Sequence, residues 1–419
     1  MAATWLMMSV EGPFLAAIIA RMPNPKYNLA AYGVAFAFAL IIEAPIIMMS
    51  SAATALVQGA GSLRKLRHFN MILIVILTGL VILLVLKPVY YYLTIDLMHL
   101  EKEVARLSHL ALTILLPWPG AIGYRRFYQG VLIRSDLTRR VAYGTITRLI
   151  AMLSTATLLF SFSRIEGALI GAFALSVGVI SEAITIRIMV HPTLKNMLSC
   201  ADDEPQTGLT FSEITRFYYP LALTSFLGLV VQPMVTFLVG RSRMALESLA
   251  VLPVVNALIF IFRSIGLSYQ EVGIALAGEH NESIPALRNF ALILAAAVTL
   301  ILTLIAFTPL MNLWLLDVSG LTEELSTFAR LPIRILILMP GLSVILSFLR
   351  AIMVNIRKTR FVTVATGIEV LVILIVLWFG IFSFDWIGAS AAAAALLIGR
   401  MASDSYLLFK NSRLAIYDR

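Results

Sequence analysis

Residues 86–120 read LKPVYYYLTIDLMHLEKEVARLSHLALTILLPWPG, and residues 307–341 read FTPLMNLWLLDVSGLTEELSTFARLPIRILILMPG. Matching leucines would be expected by chance in so apolar a chain, but prolines, glycines and loop charges also coincide, always at one constant offset (309 − 88 = 221). These landmarks are Pro88 and Pro309, Asp96 and Asp317, Glu103 and Glu324, and Pro119-Gly120 and Pro340-Gly341. The constant offset indicates an internal repeat.

The repeat extends over residues 62–174 and their counterparts at the same offset, 283–395. Its further matches are Arg67 and Arg288, Phe69 and Phe290, Phe127 and Phe348, and Gly167-Ala168 and Gly388-Ala389. We therefore predict two homologous halves of roughly 200 residues each. The N-terminal lobe comprises residues 1–190 and the C-terminal lobe residues 212–419. A polar cytoplasmic linker, residues 191–211, joins them and carries an acidic run at 202–205.

The composition of the chain is that of a membrane protein. Of its 419 residues, 60% are hydrophobic and 13% are charged, and the mean hydropathy is +0.93. A water-soluble domain cannot bury so much apolar surface, so lipid must be the solvent for most of it. The net charge of +9 is explained by basic cytoplasmic loops rather than by nucleic-acid binding. The single cysteine excludes an internal disulfide and a cysteine-based metal cluster.

About twelve apolar segments reach the roughly 20 residues that a transmembrane helix needs. The predicted spans are residues 2–20, 29–57, 69–95, 104–133, 140–162, 166–190, 212–239, 246–277, 286–316, 327–355, 360–382 and 386–409. We expect an all-α polytopic membrane protein with about 12 transmembrane helices. Because six is an even number, the halves form two parallel six-helix repeats, related by a pseudo-two-fold axis along the membrane normal.

The charges of the loops predict the orientation. Basic residues cluster at 64–67, 134–140 and 357–360 and in the C-terminal tail, whereas acidic residues lie on the opposite side. The positive-inside rule then places both termini in the cytoplasm. We expect the protein itself to span the cell (plasma or inner) membrane. Arg241 and Arg243 depart from this pattern.

Each charged residue within the predicted spans needs a structural or functional explanation. Inserting a charged side chain at the bilayer centre costs about 2.5–3.5 kcal/mol of free energy on the insertion scale. Glu43 and Arg263 lie at nearly equivalent places of the repeat with opposite sign, as do Arg148 and Glu369. We hypothesise that these positions face each other or a shared wet cavity across the pseudo-two-fold axis. The alternative is that each charge is paired within its own half and stabilises packing.

Basic residues exceed acidic ones inside the predicted spans. The candidates are Arg125, Arg126, Arg263, Arg334 and Arg350 against Glu11, Glu43 and Glu271. Guanidinium groups bind carboxylates and phosphates bidentately, so this excess favours an anionic cargo. We assign substrate binding to Arg263, Glu43, Arg125, Arg126 and Arg334, and gating or coupling to Glu11, Arg148 and Glu369. Arg400 and Asp404, at i,i+4 spacing, are interpreted as a structural pair.

Six prolines at membrane depth predict interrupted helices, which act as hinges, line binding sites or are simple kinks. They are Pro45, Pro119, Pro220, Pro233, Pro253 and Pro340. Because Pro119-Gly120 recurs as Pro340-Gly341, a hinge is a stronger interpretation there.

Motifs of several enzyme classes are absent from the sequence. It contains no GxxxxGK[ST] nucleotide loop, no HExxH and no GxSxG. Ser390 has no histidine in the later spans to activate it as a nucleophile. We therefore expect no enzymatic activity, no cofactor and no metal.

Three groups of residues, in this order along the chain, are typical of one known family. They are Leu29-Ala30-Ala31-Tyr32-Gly33 with Pro45, Tyr218-Tyr219-Pro220-Leu221-Ala222-Leu223 with Pro233 and Val239-Gly240-Arg241, and Pro332-Ile333-Arg334 with Pro340 and the basic turn 357–359. In these groups the chain resembles the progressive ankylosis protein family, within the multidrug/oligosaccharidyl-lipid/polysaccharide flippase superfamily. The resemblance implies a multipass exporter of inorganic pyrophosphate, citrate or a nucleotide such as ATP. Arg334 is the arginine within the predicted spans that belongs to these matching groups. The chain lacks the family's extra N-terminal residues and its long polar C-terminal tail.

We therefore predict a secondary transporter, expected to be a monomer, that exports a small anion by alternating access between two lobes. A first alternative is a proton- or sodium-coupled multidrug exporter in which Glu11 and Glu43 bind the coupling ion. A second is a lipid flippase or scramblase with a groove open to lipid.

Overall fold

The computed structural model describes residues 2–199, 209–276, 284–356, 358 and 360–417. Apart from an isolated β-bridge between Arg243 and Ile387, the regular elements of this part of the chain are helices. The predicted acidic run at 202–205 lies outside the described residues. The region predicted as a linker begins as helix, because the helix from Gly167 continues to Ser199.

Eighteen α-helices follow one another along the described chain. In the first half they are α1 (Ala2–Ala20), α2 (Pro25–Glu43), α3 (Met49–Leu56), α4 (Ala60–Val85), α5 (Lys87–Tyr91), α6 (Lys102–Ile114), α7 (Trp118–Arg134), α8 (Thr138–Phe162) and α9 (Gly167–Ser199). In the second half they are α10 (Phe211–Leu229), α11 (Val231–Gly240), α12 (Ala245–Leu276), α13 (Ile284–Phe307), α14 (Leu310–Asn312), α15 (Glu323–Ile335), α16 (Met339–Asn355), α17 (Arg360–Trp378) and α18 (Gly388–Tyr417). π-Helical turns cover Tyr92–Leu97, Leu313–Val318 and Phe379–Ser383, and a 3₁₀ turn covers Leu336–Leu338.

Ten helical segments of the described chain are long and apolar enough to cross a membrane, which makes this a multi-pass membrane protein. They are Pro25–Glu43, Ala60–Val85, Thr138–Phe162, Gly167–Leu198, Phe211–Gly240, Ala245–Gln270, Ile284–Phe307, Glu323–Val354, Arg360–Ser383 and Gly388–Ser412. The predicted number of twelve is not confirmed. Met7–Ala20, within the first predicted span, is a shorter apolar helix, and the fourth predicted span is divided between α6 and α7.

Several elements of the two halves begin at equivalent positions, separated by the offset of the sequence repeat (323 − 102 = 221). The pairs are α6 and α15, α7 and α16, α9 and α18, and the π-helical turns Tyr92–Leu97 and Leu313–Val318. These boundaries agree with the repeat read from the sequence. The arrangement of twelve helices in two symmetric halves stays a prediction.

The prolines break some helices and not others. Pro45 lies in the turn between α2 and α3, and Pro119 and Pro340 lie in the first turns of α7 and α16, directly after breaks. Pro220 and Pro253 lie inside α10 and α12, which continue through them, so the predicted interruption is wrong at these two positions. A proline interior to a membrane helix is tolerated where neighbouring groups satisfy the freed carbonyl.

The chain forms two compact units. The N unit comprises Val34–Leu97 and Ala105–Pro233. The C unit comprises Met1–Gly33, Met98–Val104 and Met234–Arg419. The C unit therefore includes α1 from the start of the chain, and the N unit includes α10. The predicted lobe boundaries at residues 190 and 212 stay a prediction.

Each unit has its own apolar core. In the N unit, Met49, Phe127, Val131 and Ile186 bring α3, α7 and α9 together, and Tyr218 of α10 packs against them. The Tyr218 hydroxyl donates a hydrogen bond to the carbonyl of Pro45, which the helix break leaves without a helical partner. In the C unit, buried residues of α12, α13, α16 and α18 form the corresponding core: Tyr269, Leu287, Val298, Val344, Leu349, Met353 and Leu407.

Candidate functional site

A buried carboxylate organises the charges of the N unit. Glu182 of α9 is 1% exposed. Its Oε2 accepts a hydrogen bond from Nη1 of Arg125, and its Oε1 accepts one of 2.9 Å from Nε2 of Gln129. Nε of Arg148 lies 3.7 Å from the same Oε2. Both carboxylate oxygens of Glu182 therefore have partners, as a buried charge requires.

Helix packing brings these groups together. Arg125 and Gln129, at i,i+4 spacing, share one face of α7, which packs against α9. Arg148 lies on α8, which also packs against α9. A Cβ on Gly178 would lie 3.2 Å from the carbonyl oxygen of Arg148, so this glycine permits the close contact between α8 and α9.

A second arginine of α7 lies beside this network without joining it. Arg126 is partly buried, its Nε–H has no acceptor, and no side chain in the described part of the chain accepts a hydrogen bond from its guanidinium or forms an ion pair with it. Glu43, Glu182, Arg125 and Arg148 act on it electrostatically. Glu43 is 7% exposed and is the last residue of α2, at the break before Pro45.

We call Glu43, Arg125, Arg126, Arg148 and Glu182 the N cluster. Its three arginines and two carboxylates carry a formal charge of +1. Because Arg126 has no hydrogen-bond or ion-pair partner among the described residues, the cluster has a guanidinium available to a further anionic group.

The C unit contains a second cluster with the same kinds of charge. Nη2 of Arg400 on α18 lies 2.9 Å from Oε1 of Glu369 on α17. Nη2 of Arg350 on α16 donates a 3.2 Å hydrogen bond to Oγ1 of Thr366. Arg263 of α12 is acted on electrostatically by Arg350, Glu369 and Arg400.

We call Arg263, Arg350, Glu369, Arg400 and Asp404 the C cluster, which also carries a formal charge of +1. Arg263 is partly buried, and its guanidinium has no hydrogen-bond or ion-pair partner among the described residues. Within the described part of the chain, Arg263 and Arg126 are thus the guanidinium groups of their clusters that have no partner.

The clusters contain six of the eight predicted site residues. Arg148 and Glu369, a predicted pair of opposite sign, each have an ion-pair partner within their own unit. The roles assigned to all eight residues stay predictions.

The other two predicted residues lie outside the clusters. Glu11 of α1 acts electrostatically on Tyr32 of α2, in the C unit. Arg334 is exposed at the end of α15, where its Nε donates a 3.4 Å hydrogen bond to the carbonyl of Ala306 and its guanidinium lies 5.1 Å from the ring centre of Phe307. The side chain of Glu271 lies outside what the structure describes.

Sequence reasoning missed the residue at the centre of the N cluster. Glu182 is a carboxylate inside an apolar helix, and that isolation was the available signal. The predicted structural pair of Arg400 and Asp404 is not formed. Arg400 pairs with Glu369 instead, because α17 presents a carboxylate to it.

An apolar groove lies between α7 and α9 of the N unit. Its volume is about 440 Å³, and Arg187 is its charged lining residue. The remaining lining residues are Gly120, Ala121, Tyr124, Ile180, Ala183, Ile184 and Ile188. The guanidinium of Arg187 also lies 5.7 Å from the ring centre of Tyr128.

Comparison with solved structures shows which fold this is. An inward-facing multidrug resistance transporter of the MATE family, in the MOP superfamily, matches with a TM-score of 0.77 and 15% sequence identity, over 99% of this chain and 96% of that one. The lipid II flippase MurJ in an inward closed conformation matches with a TM-score of 0.73 and 15% identity, over 98% and 87%. A MOP superfamily transporter from Pyrococcus furiosus matches with a TM-score of 0.65 and 15% identity, over 100% and 97%.

The chain therefore has the fold of MOP superfamily transporters. No protein-family model and no curated protein matches its sequence. The predicted resemblance to transporters of the multidrug/oligosaccharidyl-lipid/polysaccharide (MOP) superfamily agrees with the fold of these structures, whereas the narrower resemblance to the progressive ankylosis family is not confirmed. At 15% identity the likeness shows the fold and not the cargo.

Proposed function

We propose that this protein is a secondary transporter that exports small anions by alternating access. The observation that supports the proposal most directly is the surplus of arginine within each unit. Both clusters hold three arginines against two carboxylates, and in each cluster one guanidinium lacks a partner among the described residues. Buried charges are costly unless they are paired, so an unpaired arginine inside a membrane protein favours an anionic ligand.

The chemistry of guanidinium favours carboxylate and phosphate cargo, which it binds bidentately. Pyrophosphate, citrate and nucleotides are the first candidates, in agreement with the family resemblance of the sequence. Pocket polarity varies within this fold, since reverse polarity of the binding pocket was taken to suggest a different function for the Pyrococcus furiosus transporter. We further propose a monomer in the cell membrane with both termini in the cytoplasm, coupled to H⁺ or Na⁺.

Efflux from liposomes tests the proposal. Purified protein is reconstituted into vesicles loaded with pyrophosphate, citrate or ATP, and the release of each is followed. Arg126→Ala and Arg263→Ala are compared with Arg288→Ala, which removes an exposed arginine of α13 outside both clusters. Removing one hydrogen bond to a charged group costs about 1.5–3 kcal/mol, so we expect affinity to fall about ten- to hundredfold in the first two variants. Arg288→Ala should match the wild type.

Absence of efflux for all three anions would contradict the proposal. Movement of organic cations under a proton or sodium gradient would instead favour the multidrug exporter. Equal efflux by Arg126→Ala, Arg263→Ala and the wild type would leave anion transport in place but remove the clusters from it.

A lipid flippase is the second candidate. The apolar groove between α7 and α9 supports it, because its apolar lining suits an acyl chain and Arg187 suits a phosphate headgroup. The similarity in fold to MurJ, a lipid II flippase, points the same way. A fluorescent phospholipid that is quenched from outside the vesicle would report flipping. Ala183→Trp fills the groove and should stop a flippase, whereas it should leave anion efflux unchanged.

A further inference from the structure

The C cluster contains a buried carboxylate to which no group of the described chain donates a hydrogen bond. Asp404 of α18 is 3% exposed. Both of its carboxylate oxygens lack a hydrogen-bond partner within the described chain. It makes no ion pair there with Arg400, one helical turn before it, since that arginine is bound to Glu369.

The N cluster contains a buried carboxylate at nearly the same repeat position that does have hydrogen-bond partners. Glu182 corresponds to residue 403 of the repeat (182 + 221 = 403), one position before Asp404. Glu182 is similarly buried, but Arg125, Gln129 and Arg148 surround its two oxygens. Its charge is therefore compensated in place. At nearly the same point of the equivalent helix, Asp404 has no comparable bonds to the described residues.

An ionised carboxylate that is buried without hydrogen bonds is unfavourable, and binding a proton removes the charge. We propose that Asp404 is a proton-binding site of the C cluster and that a proton and the cargo anion bind to this cluster together. This inference rests on the proposed transport of anions.

The charges around Asp404 favour a proton over a metal cation. Arg400 on its own helix, Arg350 on α16 and Glu369 on α17 act on it electrostatically. Arg263 of α12, another helix in contact with α18, acts in turn on Arg350, Glu369 and Arg400. Three arginines repel a sodium or divalent ion, whereas a proton neutralises Asp404 without needing several oxygen ligands.

The sign of the coupling follows from the charge count. With Asp404 ionised, the C cluster has a formal charge of +1, and with Asp404 protonated it has +2. The protonated cluster binds an anion more tightly, and by linkage a bound anion makes protonation more favourable. Anion affinity should therefore rise as pH falls through the range in which Asp404 titrates.

The test compares pyrophosphate binding to the wild type and to Asp404→Asn in detergent between mildly acidic and alkaline pH. Pyrophosphate itself changes its protonation with pH in the same way in both experiments. The wild-type Kd divided by the Asp404→Asn Kd therefore reports the ionisation of Asp404 alone. Asparagine resembles the protonated acid, so the ratio should be near one at low pH. It should then rise by up to about tenfold per pH unit as wild-type Asp404 ionises. Asp96→Asn, at an exposed aspartate, should follow the wild type.

Infrared difference spectra between the two pH limits provide a readout without cargo. The wild type and Asp96→Asn should show the carbonyl band of a protonated carboxylic acid, and Asp404→Asn should lack it. If Asp404→Asn does not fold, Asp404→Ala replaces it, because alanine occupies the equivalent position 183.

A ratio of Kd values that does not change with pH, or a carboxylic acid band that persists without Asp404, would overturn the proposal. If the wild type binds none of pyrophosphate, citrate and ATP at any pH, the proposed anion transport fails, and joint binding fails with it. The infrared band then still decides whether Asp404 binds a proton.

Discussion

The N cluster and the C cluster contain the same charges but use them differently. In the N cluster the most buried carboxylate, Glu182, is surrounded by two arginines and a glutamine. In the C cluster the most buried carboxylate, Asp404, has no such bonds within the described chain, and the ion pair involves Glu369. The difference shows that one copy of the repeat can surround a buried carboxylate with polar partners, whereas the other copy leaves one without a hydrogen bond from the described residues.

The largest loss of folding stability should come from Glu182→Gln. This change removes the carboxylate that pairs with Arg125 and takes one ion pair from Arg148, and breaking a buried pair in this way costs about 3–5 kcal/mol. The melting temperature in detergent, with cargo absent, measures it. A double variant, Glu182→Gln with Arg125→Gln, should recover part of the loss, and no recovery would contradict the pairing.

A smaller loss is expected for Glu369→Gln. Among the described residues, Glu369 has one ion pair, with Arg400, and its side chain is 10% exposed. Losing one hydrogen bond between charged groups costs about 1.5–3 kcal/mol. The same melting experiment measures it. A loss as large as that of Glu182→Gln would mean that the two clusters do not differ as the ion pairs indicate.

Arg334→Ala should change stability by less than about 1 kcal/mol, because Arg334 is exposed and its contacts are a carbonyl and the face of Phe307. Efflux of pyrophosphate should continue at close to the wild-type rate. If efflux instead stops while the melting temperature is unchanged, Arg334 binds cargo, as its type and position in the sequence led us to predict.

The smallest effect on stability should be that of Asp404→Asn, within about 0.5 kcal/mol or slightly stabilising near neutral pH. Asparagine removes a buried negative charge without breaking a hydrogen bond to any described residue. The comparison with Glu182→Gln, a matched acid-to-amide change, sharpens the contrast between the clusters. A large destabilisation by Asp404→Asn would mean that its charge is structural.

Much of this protein could be predicted from one sequence, because the signals are local or periodic. Apolar segments of membrane length predicted a multi-pass helical protein, and solved structures of MOP superfamily transporters have a similar helical fold. The constant offset between the two halves recurs in the helix boundaries. The membrane arginines, and the sign changes at Glu43 and Arg263, directed attention to two places that the structure shows to be charge clusters.

The sequence could not determine which charged side chains form ion pairs with each other. The i,i+4 spacing of Arg400 and Asp404 predicted a pair within one helix, but the guanidinium turns to Glu369 on the neighbouring helix. The importance of Glu182 was missed because its partners are distant in the sequence and lie on two other helices, α7 and α8. Pairing between helices depends on their relative rotation and depth, which side-chain packing sets. Only the tertiary structure therefore distinguishes the paired Glu182 from Asp404, which has no partner in the described part of the chain.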